Sequence, residues 1–169
     1  ISLALSAELP LVIVNVQRGG PSTGLPTKPE QSDLMFALYG RHGESPLPVI
    51  AAKSPSHAFY AAYEASRIAL KYMTPVILLS DNYVATGSEP WNLPKIEELN
   101  NLDTNIITKL NTEDGFLPFL RNVDTFARPW ALPGTPGLEY RVGGLEKEEG
   151  TGNVSYDAAN HQYMTDMRA

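Results

Sequence analysis

The chain has 169 residues, a length typical of one domain, and 43% of them are apolar, which is ordinary for a protein with a buried core. The formal net charge is -6, with 13 basic and 19 acidic residues. Because phosphate binding relies on clustered cations and no dense Lys/Arg run is present, the composition argues against nucleic acid as a partner.

The residue types also limit the chemistry of the chain. Cysteine is absent, so the chain offers no disulfide, thiolate nucleophile, zinc knuckle or iron–sulfur cluster of its own. No apolar run approaches the roughly 20 residues of a membrane helix, and no secretory signal is recognisable. We therefore expect a cytoplasmic protein without a membrane partner.

The first residues, ISLALSAELPLVIV, are typical of a helix end that leads directly into a strand. We therefore expect part of the domain to precede Ile1. Three continuous apolar runs then predict strands covered on both faces. These runs are Leu9 to Val16, Pro46 to Ala52 and Thr74 to Asp81.

Helical spacing of apolar residues between the second and third runs predicts a helix that begins at Ser54 or Ser56. The resulting strand–helix–strand unit predicts an α/β fold with a parallel sheet flanked by helices. A second helix is expected from Glu30 to Tyr39, because Thr27 and Glu30 have capping-box spacing.

The second half of the chain has a different character. After Tyr83 it is rich in Pro, Gly and Asn and has no sustained period, which indicates an irregular C-terminal arm that leaves the sheet. Near the end of the chain, a short helix is expected to start after Asp157.

Ligands of open parallel sheets bind outside the carboxyl ends of the strands, where we expect Arg18, Ser45 and residues 81–86 to lie. Arg18 follows a predicted buried strand and could offer a bidentate fork to a carboxylate or a phosphate. An ion pair with Glu44 or Asp33 is an equally good interpretation of the same residue.

The segment GGPSTG has the GxxxxG separation of a phosphate-binding loop, between Gly19 and Gly24, and Ser22 and Thr23 supply hydroxyls. However, Leu-Pro follows where such a loop needs Lys-Ser/Thr at a helix start, so the pattern excludes a nucleotide loop. The segment is then either a turn that lets the backbone approach a ligand or partner chain, or a purely structural turn.

The other polar candidates have structural interpretations. His42, His57 and His161 lie far apart in sequence without metal-ligand spacing, which favours surface or packing roles. Arg41 and His42 stand out slightly, because they lie in a glycine-flanked loop before the second strand. Asp81 is predicted to cap or orient a loop.

Two segments, ELPLVIVNVQRGGPSTGLPTKPEQSDLMFALYGRHGESPLPVIAA and MTPVILLSDNYVATGSEPW, resemble the alpha subunit of 2-oxoglutarate:ferredoxin oxidoreductases. These enzymes belong to the thiamine diphosphate-dependent 2-oxoacid:acceptor oxidoreductase family. The resemblance implies that residues 1–90 are the C-terminal part of a thiamine pyrimidine-binding domain. It implies that residues 91–169 are an extended arm, or linker, toward a further domain.

The resemblance implies oxidative decarboxylation of a 2-oxoacid, with 2-oxoglutarate favoured, to an acyl-coenzyme A, while electrons pass to ferredoxin. Thiamine diphosphate would be shared with a beta-type subunit that carries Mg²⁺ and an iron–sulfur cluster. Arg18 matches the family arginine near the substrate carboxylate, and Ser22 and Thr23 match turn residues of the same region. No catalytic residue is expected in this chain, because the family glutamate that protonates the aminopyrimidine lies upstream of Ile1 and Glu8 is not its counterpart.

Two other functions stay open at this point. One is a non-catalytic interaction or assembly module with the same fold. The other is a stand-alone anion-binding α/β domain, which would bind phosphate or carboxylate through Arg18 without a partner. Pyruvate and branched-chain 2-oxoacids are alternatives to 2-oxoglutarate within the enzyme hypothesis.

Overall fold

The computed structural model describes residues 1–169. The helices are α1 (Ser2–Ser6), α2 (Leu34–Tyr39), α3 (Pro55–Tyr72), α4 (Asn82–Thr86) and α5 (Ala158–Arg168), with a 3₁₀ turn at Ile96–Glu98. The strands are β1 (Leu11–Gln17), β2 (Val49–Ala51), β3 (Pro75–Asp81), β4 (Ile106–Ile107) and β5 (Trp130–Ala131). None of the helices has both the length and the apolar character needed to cross a bilayer.

The main sheet has three parallel strands in the order β1-β3-β2. Strand β3 lies in the centre and all seven of its residues are buried, which explains its continuous run of aliphatic side chains. Its pairing with β1 runs from Leu11 opposite Pro75 to Gln17 opposite Asp81. The predicted parallel α/β fold is therefore confirmed.

The prediction that all three strands are covered on both faces is right for β3 and wrong for the strands beside it. In β1, Leu11, Val14 and Val16 are 40%, 55% and 45% exposed. Strand β2 is only intermediate or exposed. The difference arises because β1 and β2 are the edges of this sheet, and only the central strand is enclosed by its neighbours.

Helix α3 connects β2 to β3 and covers the sheet. The hydroxyl of Ser54 accepts a hydrogen bond from the backbone N–H of His57 at 3.3 Å, and Pro55 occupies the first turn. The small residues Ala65 and Ala69 are buried against Val76 of β3, which lets the helix approach the sheet closely. The predicted strand–helix–strand unit is thus confirmed, with Ser54 as its cap.

Helix α2 is shorter than predicted, and the expected capping box is absent. The helix begins at Leu34 after Asp33, which makes no side-chain capping bond. Instead of capping a helix, the carboxylate of Glu30 accepts a hydrogen bond from the backbone N–H of Gly20 at 3.1 Å. Residues 30–33 are therefore used to close the preceding loop rather than to extend the helix.

The C-terminal arm is irregular up to α5 apart from short elements, and it packs back onto α1 at the amino end of β1. Arg121 and Glu8 form an ion pair at 2.6 Å in which both side chains are only 6% exposed. Arg128 donates to the carbonyl of Ala7 at 3.2 Å, and Lys147 donates to the carbonyl of Ser6 at 3.1 Å. Burial lowers the pKa of Lys147.

Helix α5 begins after Asp157, as predicted, and the Asp157 carboxylate accepts a hydrogen bond from the backbone N–H of Asn160 at 2.7 Å. The end of this helix is tied to the arm by Glu146, which accepts hydrogen bonds from Arg168 and His161. Although burial raises the pKa of Glu146, these hydrogen bonds lower it to about 2.

The buried ion pair predicts a large local effect of the substitution Arg121→Ala. It leaves the Glu8 carboxylate buried without its partner, which costs roughly 3 to 5 kcal/mol. A cost of this size corresponds to a change of roughly a hundredfold or more in the opening equilibrium. Hydrogen exchange should therefore show a loss of protection of that size for the backbone amides of segments 1–11 and 119–131.

The control is Arg67→Ala, which removes an arginine from the more exposed pair with Glu64. We expect it to cost less than about 1 kcal/mol. Equal losses of protection for the two variants would contradict a structural role for the Glu8–Arg121 pair.

Candidate functional site

The candidate site lies at the carboxyl ends of β1 and β3. The register that pairs Gln17 with Asp81 brings the two strand ends together, so the loop after β1 and the start of α4 leave the sheet side by side. A cavity of about 580 Å³ opens between them. Its lining consists of Asn15, Val16, Arg18, Gly20, Pro21, Ser22, Ser32, Asp33 and Asn82.

Residues 18–32 form one connection, which we call the Arg18 loop. Its base is closed by Gln17, which is 6% exposed. The Gln17 amide donates to the carbonyl of Ser80 at 3.1 Å and accepts from the backbone N–H of Asp33 at 2.9 Å. Asp33 in turn accepts a hydrogen bond from the Asn15 side chain at 3.0 Å. The two ends of the loop are therefore fixed to the sheet.

Inside the loop, the backbone N–H of Gly19 donates to the carbonyl of Lys28 at 3.2 Å. Gly24 adopts a φ of +55°, and a Cβ there would lie 1.7 Å from the carbonyl oxygen of Gly19. Only glycine can occupy this position without displacing the backbone. Gly24 is thus needed for a compact loop at the edge of the cavity.

Arg18 is exposed and lines the cavity, and its guanidinium makes no salt bridge or side-chain hydrogen bond within residues 1–169. The alternative that it pairs with Glu44 or Asp33 is therefore wrong. Asp33 is held by Asn15, and Glu44 lines cavities beside α5 instead. All donors of Arg18 are thus available to an anion.

The other two predicted substrate-binding residues occupy different positions. Ser22 lines the cavity, whereas Thr23 is exposed outside its lining. Their roles stay predictions.

The structure adds Asn82, the first residue of α4, which lines the cavity and whose side-chain amide has no hydrogen-bond partner in the chain. Arg18 and Asn82 together offer a cation and a neutral amide to a ligand.

Asp81 is 3% exposed and has the capping role predicted for it. One of its oxygens accepts from the backbone N–H of Val84 at 2.9 Å, and the other accepts from the Gln31 amide at 2.5 Å. These two hydrogen bonds lower the pKa of Asp81. Asp81 therefore caps α4 and also holds one end of the Arg18 loop.

Ser45 does not lie at this edge of the sheet, and that prediction is wrong. The strand β2 begins only at Val49, so Ser45 precedes the amino end of a strand that runs parallel to β1 and β3. Arg41 is structural, because its guanidinium donates to the carbonyls of Ala37, Leu38 and Ser45 at the end of α2.

None of the three histidines belongs to a metal-binding cluster, although His42 and His161 line one cavity. The ring of His57 accepts from the backbone N–H of Lys53 at 3.3 Å, and His161 contacts Glu146 at 2.5 Å. In residues 1–169, no group of three or more His, Cys, Asp or Glu side chains is arranged to hold a metal ion.

Sequence reasoning missed the contribution of Asn15 and Gln31 to this site. A signal for Asn15 was present, because Asn15 and Gln17 are the polar residues of the run LVIVNVQ and occupy alternate positions. Alternate residues of a strand point to one face, so the two polar side chains could be expected on the same side. Gln31 carries no such signal, because its partner Asp81 lies 50 residues away.

These features define a parallel α/β domain with a cavity at the carboxyl ends of its strands, the edge where such sheets bind ligands. A family model described as "Pyruvate flavodoxin/ferredoxin oxidoreductase, thiamine diP-bdg" matches residues 1–157. The chain therefore belongs to this family of thiamine diphosphate-binding domains.

Curated relatives agree with this membership. The chain is 52% identical over 168 residues to the 2-oxoglutarate oxidoreductase subunit KorA of Mycobacterium tuberculosis, covering 99% of this chain and 25% of that protein. It is 47% identical over 96 residues to the 2-oxoglutarate synthase subunit KorA of Archaeoglobus fulgidus, covering 57% of this chain and 28% of that protein. The chain thus spans about a quarter of the length of these relatives.

A solved structure also matches. It is the 2-oxoglutarate:ferredoxin oxidoreductase from Magnetococcus marinus with 2-oxoglutarate, coenzyme A and succinyl-CoA bound. The TM-score is 0.87 and the sequence identity 35%, with 99% of this chain and 28% of that chain covered.

The lowered pKa of Asp81 predicts how the site responds to acid. A carboxylate with a depressed pKa contributes stability that is fully present above its ordinary value of 3.8 and is lost as the pH falls through the lower folded value. We expect the Val84 amide to keep its hydrogen-exchange protection from neutral pH down to about pH 4 and to lose it below.

The variant Asp81→Asn lacks the titrating group, so its Val84 amide should be less protected at neutral pH and should respond little to acid. A wild-type amide that loses protection well above pH 4 would contradict this interpretation of Asp81.

Proposed function

We propose that this chain is the part of a 2-oxoacid:ferredoxin oxidoreductase that binds the substrate carboxylate, with 2-oxoglutarate as the favoured 2-oxoacid. The observation that carries this proposal is the free guanidinium of Arg18 beside a cavity at the carboxyl ends of β1 and β3. The similarity to two 2-oxoglutarate oxidoreductase or synthase subunits and to a structure with 2-oxoglutarate bound supports the choice of substrate.

The reaction proposed for the whole enzyme is oxidative decarboxylation of the 2-oxoacid to its acyl-coenzyme A, with electrons delivered to ferredoxin. Arg18 would hold the carboxylate that all 2-oxoacids share. A guanidinium offers two parallel N–H donors to a carboxylate, which restricts the orientation of the substrate as well as its position. A substrate held in this way has its 2-oxo carbon fixed for attack.

The cofactor of this family is thiamine diphosphate. The cavity fits the neutral aminopyrimidine part better than the diphosphate, because its lining holds one cation, Arg18, and one carboxylate, Asp33, together with amides and hydroxyls. Asn82, whose amide is unpaired, would contact the pyrimidine. When bound, the cofactor supplies the nucleophilic carbon that adds to the 2-oxo group.

We further propose that a beta-type subunit completes the site, contributing the diphosphate contacts, Mg²⁺ and an iron–sulfur cluster. Ser22, at the cavity lining, would donate a hydrogen bond to the substrate, and Thr23 would assist from the same turn. The assembled enzyme would work in the cytoplasm.

A stand-alone anion-binding domain is a second candidate, favoured by the same unpaired Arg18. It predicts that the isolated chain binds phosphate or carboxylate and that Arg18→Ala abolishes this binding. The enzyme proposal predicts little affinity without the partner subunit, because most of the substrate contacts would be missing.

The test of the enzyme proposal uses the full-length subunit co-expressed with its beta-type partner. The activity measured is viologen reduction that depends on both 2-oxoglutarate and coenzyme A. Loss of the charge-assisted contact in Arg18→Ala should cost on the order of 2 to 4 kcal/mol in kcat/KM, roughly a hundredfold or more. Arg18→Lys should recover only part of this loss, because a lysine cannot form the two-donor fork.

A matched control is Arg141→Ala, which removes another exposed arginine that makes no hydrogen bond in the chain and does not line the cavity. Its activity should stay close to that of the wild type. If Arg18→Ala kept the kcat/KM of the wild type, Arg18 would have a structural role and would not bind the substrate. If the wild type turned over no 2-oxoacid, the result would favour an assembly module.

A further inference from the structure

We propose that the hydrogen bond from Gln31 to Asp81 positions Arg18 for substrate, by holding the C-terminal end of the Arg18 loop against the end of β3. This inference rests on the proposed function for its effect on substrate. The hydrogen bond joins residues that are 50 positions apart in the chain, with a distance of 2.5 Å between Gln31 Nε2 and Asp81 Oδ2. It would make Gln31 a positioning residue that need not touch the substrate.

The Arg18 loop has little else to hold it in place. Apart from Gly19, all of its residues are exposed, so burial of apolar surface contributes little to its conformation. Its other hydrogen bonds, between Gly19 and Lys28 and between Gly20 and Glu30, remain inside the loop. The contact from Gln31 is the single hydrogen bond from residues 18–32 to another part of the chain.

Gln17 and Asp33 close the base of the loop, but they lie outside it. A loop closed only at its base can still rotate about that base as a unit. The bond from Gln31 adds a second attachment point, on β3 instead of β1. Two attachment points on two strands fix the orientation of the loop and hence of Arg18.

The acceptor for this bond is itself rigid. Asp81 is 3% exposed, belongs to the central strand and also accepts the backbone N–H of Val84. Gln31 is exposed, so its substitution changes the attachment of the loop without disturbing the core. The hydrogen bond can therefore be tested selectively, because Gln31 can be replaced while Asp81 and its bond to Val84 stay in place.

The principal variant is Gln31→Glu in the full-length subunit assembled with its partner. It replaces an amide donor by a carboxylate that faces the Asp81 carboxylate, and two like charges at this distance repel. We expect the KM for 2-oxoglutarate to rise about tenfold at neutral pH while kcat changes less, because the substrate contact is misplaced rather than removed.

The pH dependence of the KM distinguishes a misplaced Arg18 from a general loss of structure in the Gln31→Glu variant. The repulsion raises the pKa of the introduced carboxyl, and its protonated form can again donate a hydrogen bond to Asp81. The KM defect should therefore shrink as the pH is lowered from about 8 to about 6, whereas Gln31→Ala should show a smaller defect without this recovery. The other ionisable side chains on the loop and on the adjoining strand and helix ends are Arg18, Lys28, Glu30, Asp33, Lys53, His57, Tyr83 and Glu89.

A second readout does not depend on activity. Trypsin cleaves after arginine, and the Arg18–Gly19 bond lies at the start of the loop, while Lys28 is followed by proline and resists cleavage. Release of the loop should expose this bond, so Gln31→Glu should be cut after Arg18 several-fold faster than the wild type at about pH 8.

The matched control is Gln162→Glu. Gln162 donates to Asp166 at 2.7 Å on α5, so the substitution makes the same chemical change against an aspartate away from the cavity. We expect neither the KM nor the cleavage rate after Arg18 to change in this variant.

The outcomes distinguish this inference from the proposed function. Faster cleavage after Arg18 together with a raised, pH-recoverable KM supports the inference. Faster cleavage with an unchanged KM would refute positioning of the substrate, and unchanged cleavage would refute the attachment itself. If the wild type turned over no 2-oxoacid, the proposed function would fail and substrate positioning with it, while cleavage would still report whether Gln31 holds the loop.

Discussion

The parallel pairing of β1 with β3 is the constraint on which the candidate site depends. The pairing extends over the full length of both strands and ends with Gln17 opposite Asp81. Parallel strands present their carboxyl ends at one edge, so the loop after β1 and the start of α4 emerge together. Burial of all seven residues of β3 fixes the position of that edge within the domain.

Charged groups have opposite roles at the two ends of the sheet. At the amino end, Arg121 is buried and paired with Glu8, and it holds the C-terminal arm against the residues before β1. At the carboxyl end, Arg18 is exposed and unpaired within the chain. Removing one partner of a buried ion pair is costly, whereas an exposed cation without a partner in the chain can form charge-assisted hydrogen bonds with a ligand. The same residue type is thus buried in an ion pair at one end of the sheet and exposed without a partner in the chain at the other.

Much of the architecture could be predicted from local patterns. The apolar run of β3, the Ser54 cap of α3 and the role of Asp81 as a cap each depend on neighbouring residues, and the structure confirms them. The capping box at Glu30 was wrong because the backbone of Gly20, ten residues earlier, competes for the same carboxylate.

The position of Ser45 and the bond from Gln31 to Asp81 depend on where strands begin and which ones become neighbours. Local sequence does not encode such long-range pairings directly. Arg18 could be singled out because a cation just after an apolar run is itself a local signal, and the choice of 2-oxoacid chemistry came from resemblance. The central claim is that Arg18 binds the carboxylate of the substrate. It can be tested most directly by a structure of the assembled enzyme with a non-reactive analogue of 2-oxoglutarate. We predict that the Arg18 guanidinium lies within about 3 Å of the analogue's 1-carboxylate. A carboxylate bound elsewhere, with Arg18 turned to a protein partner, would contradict the account.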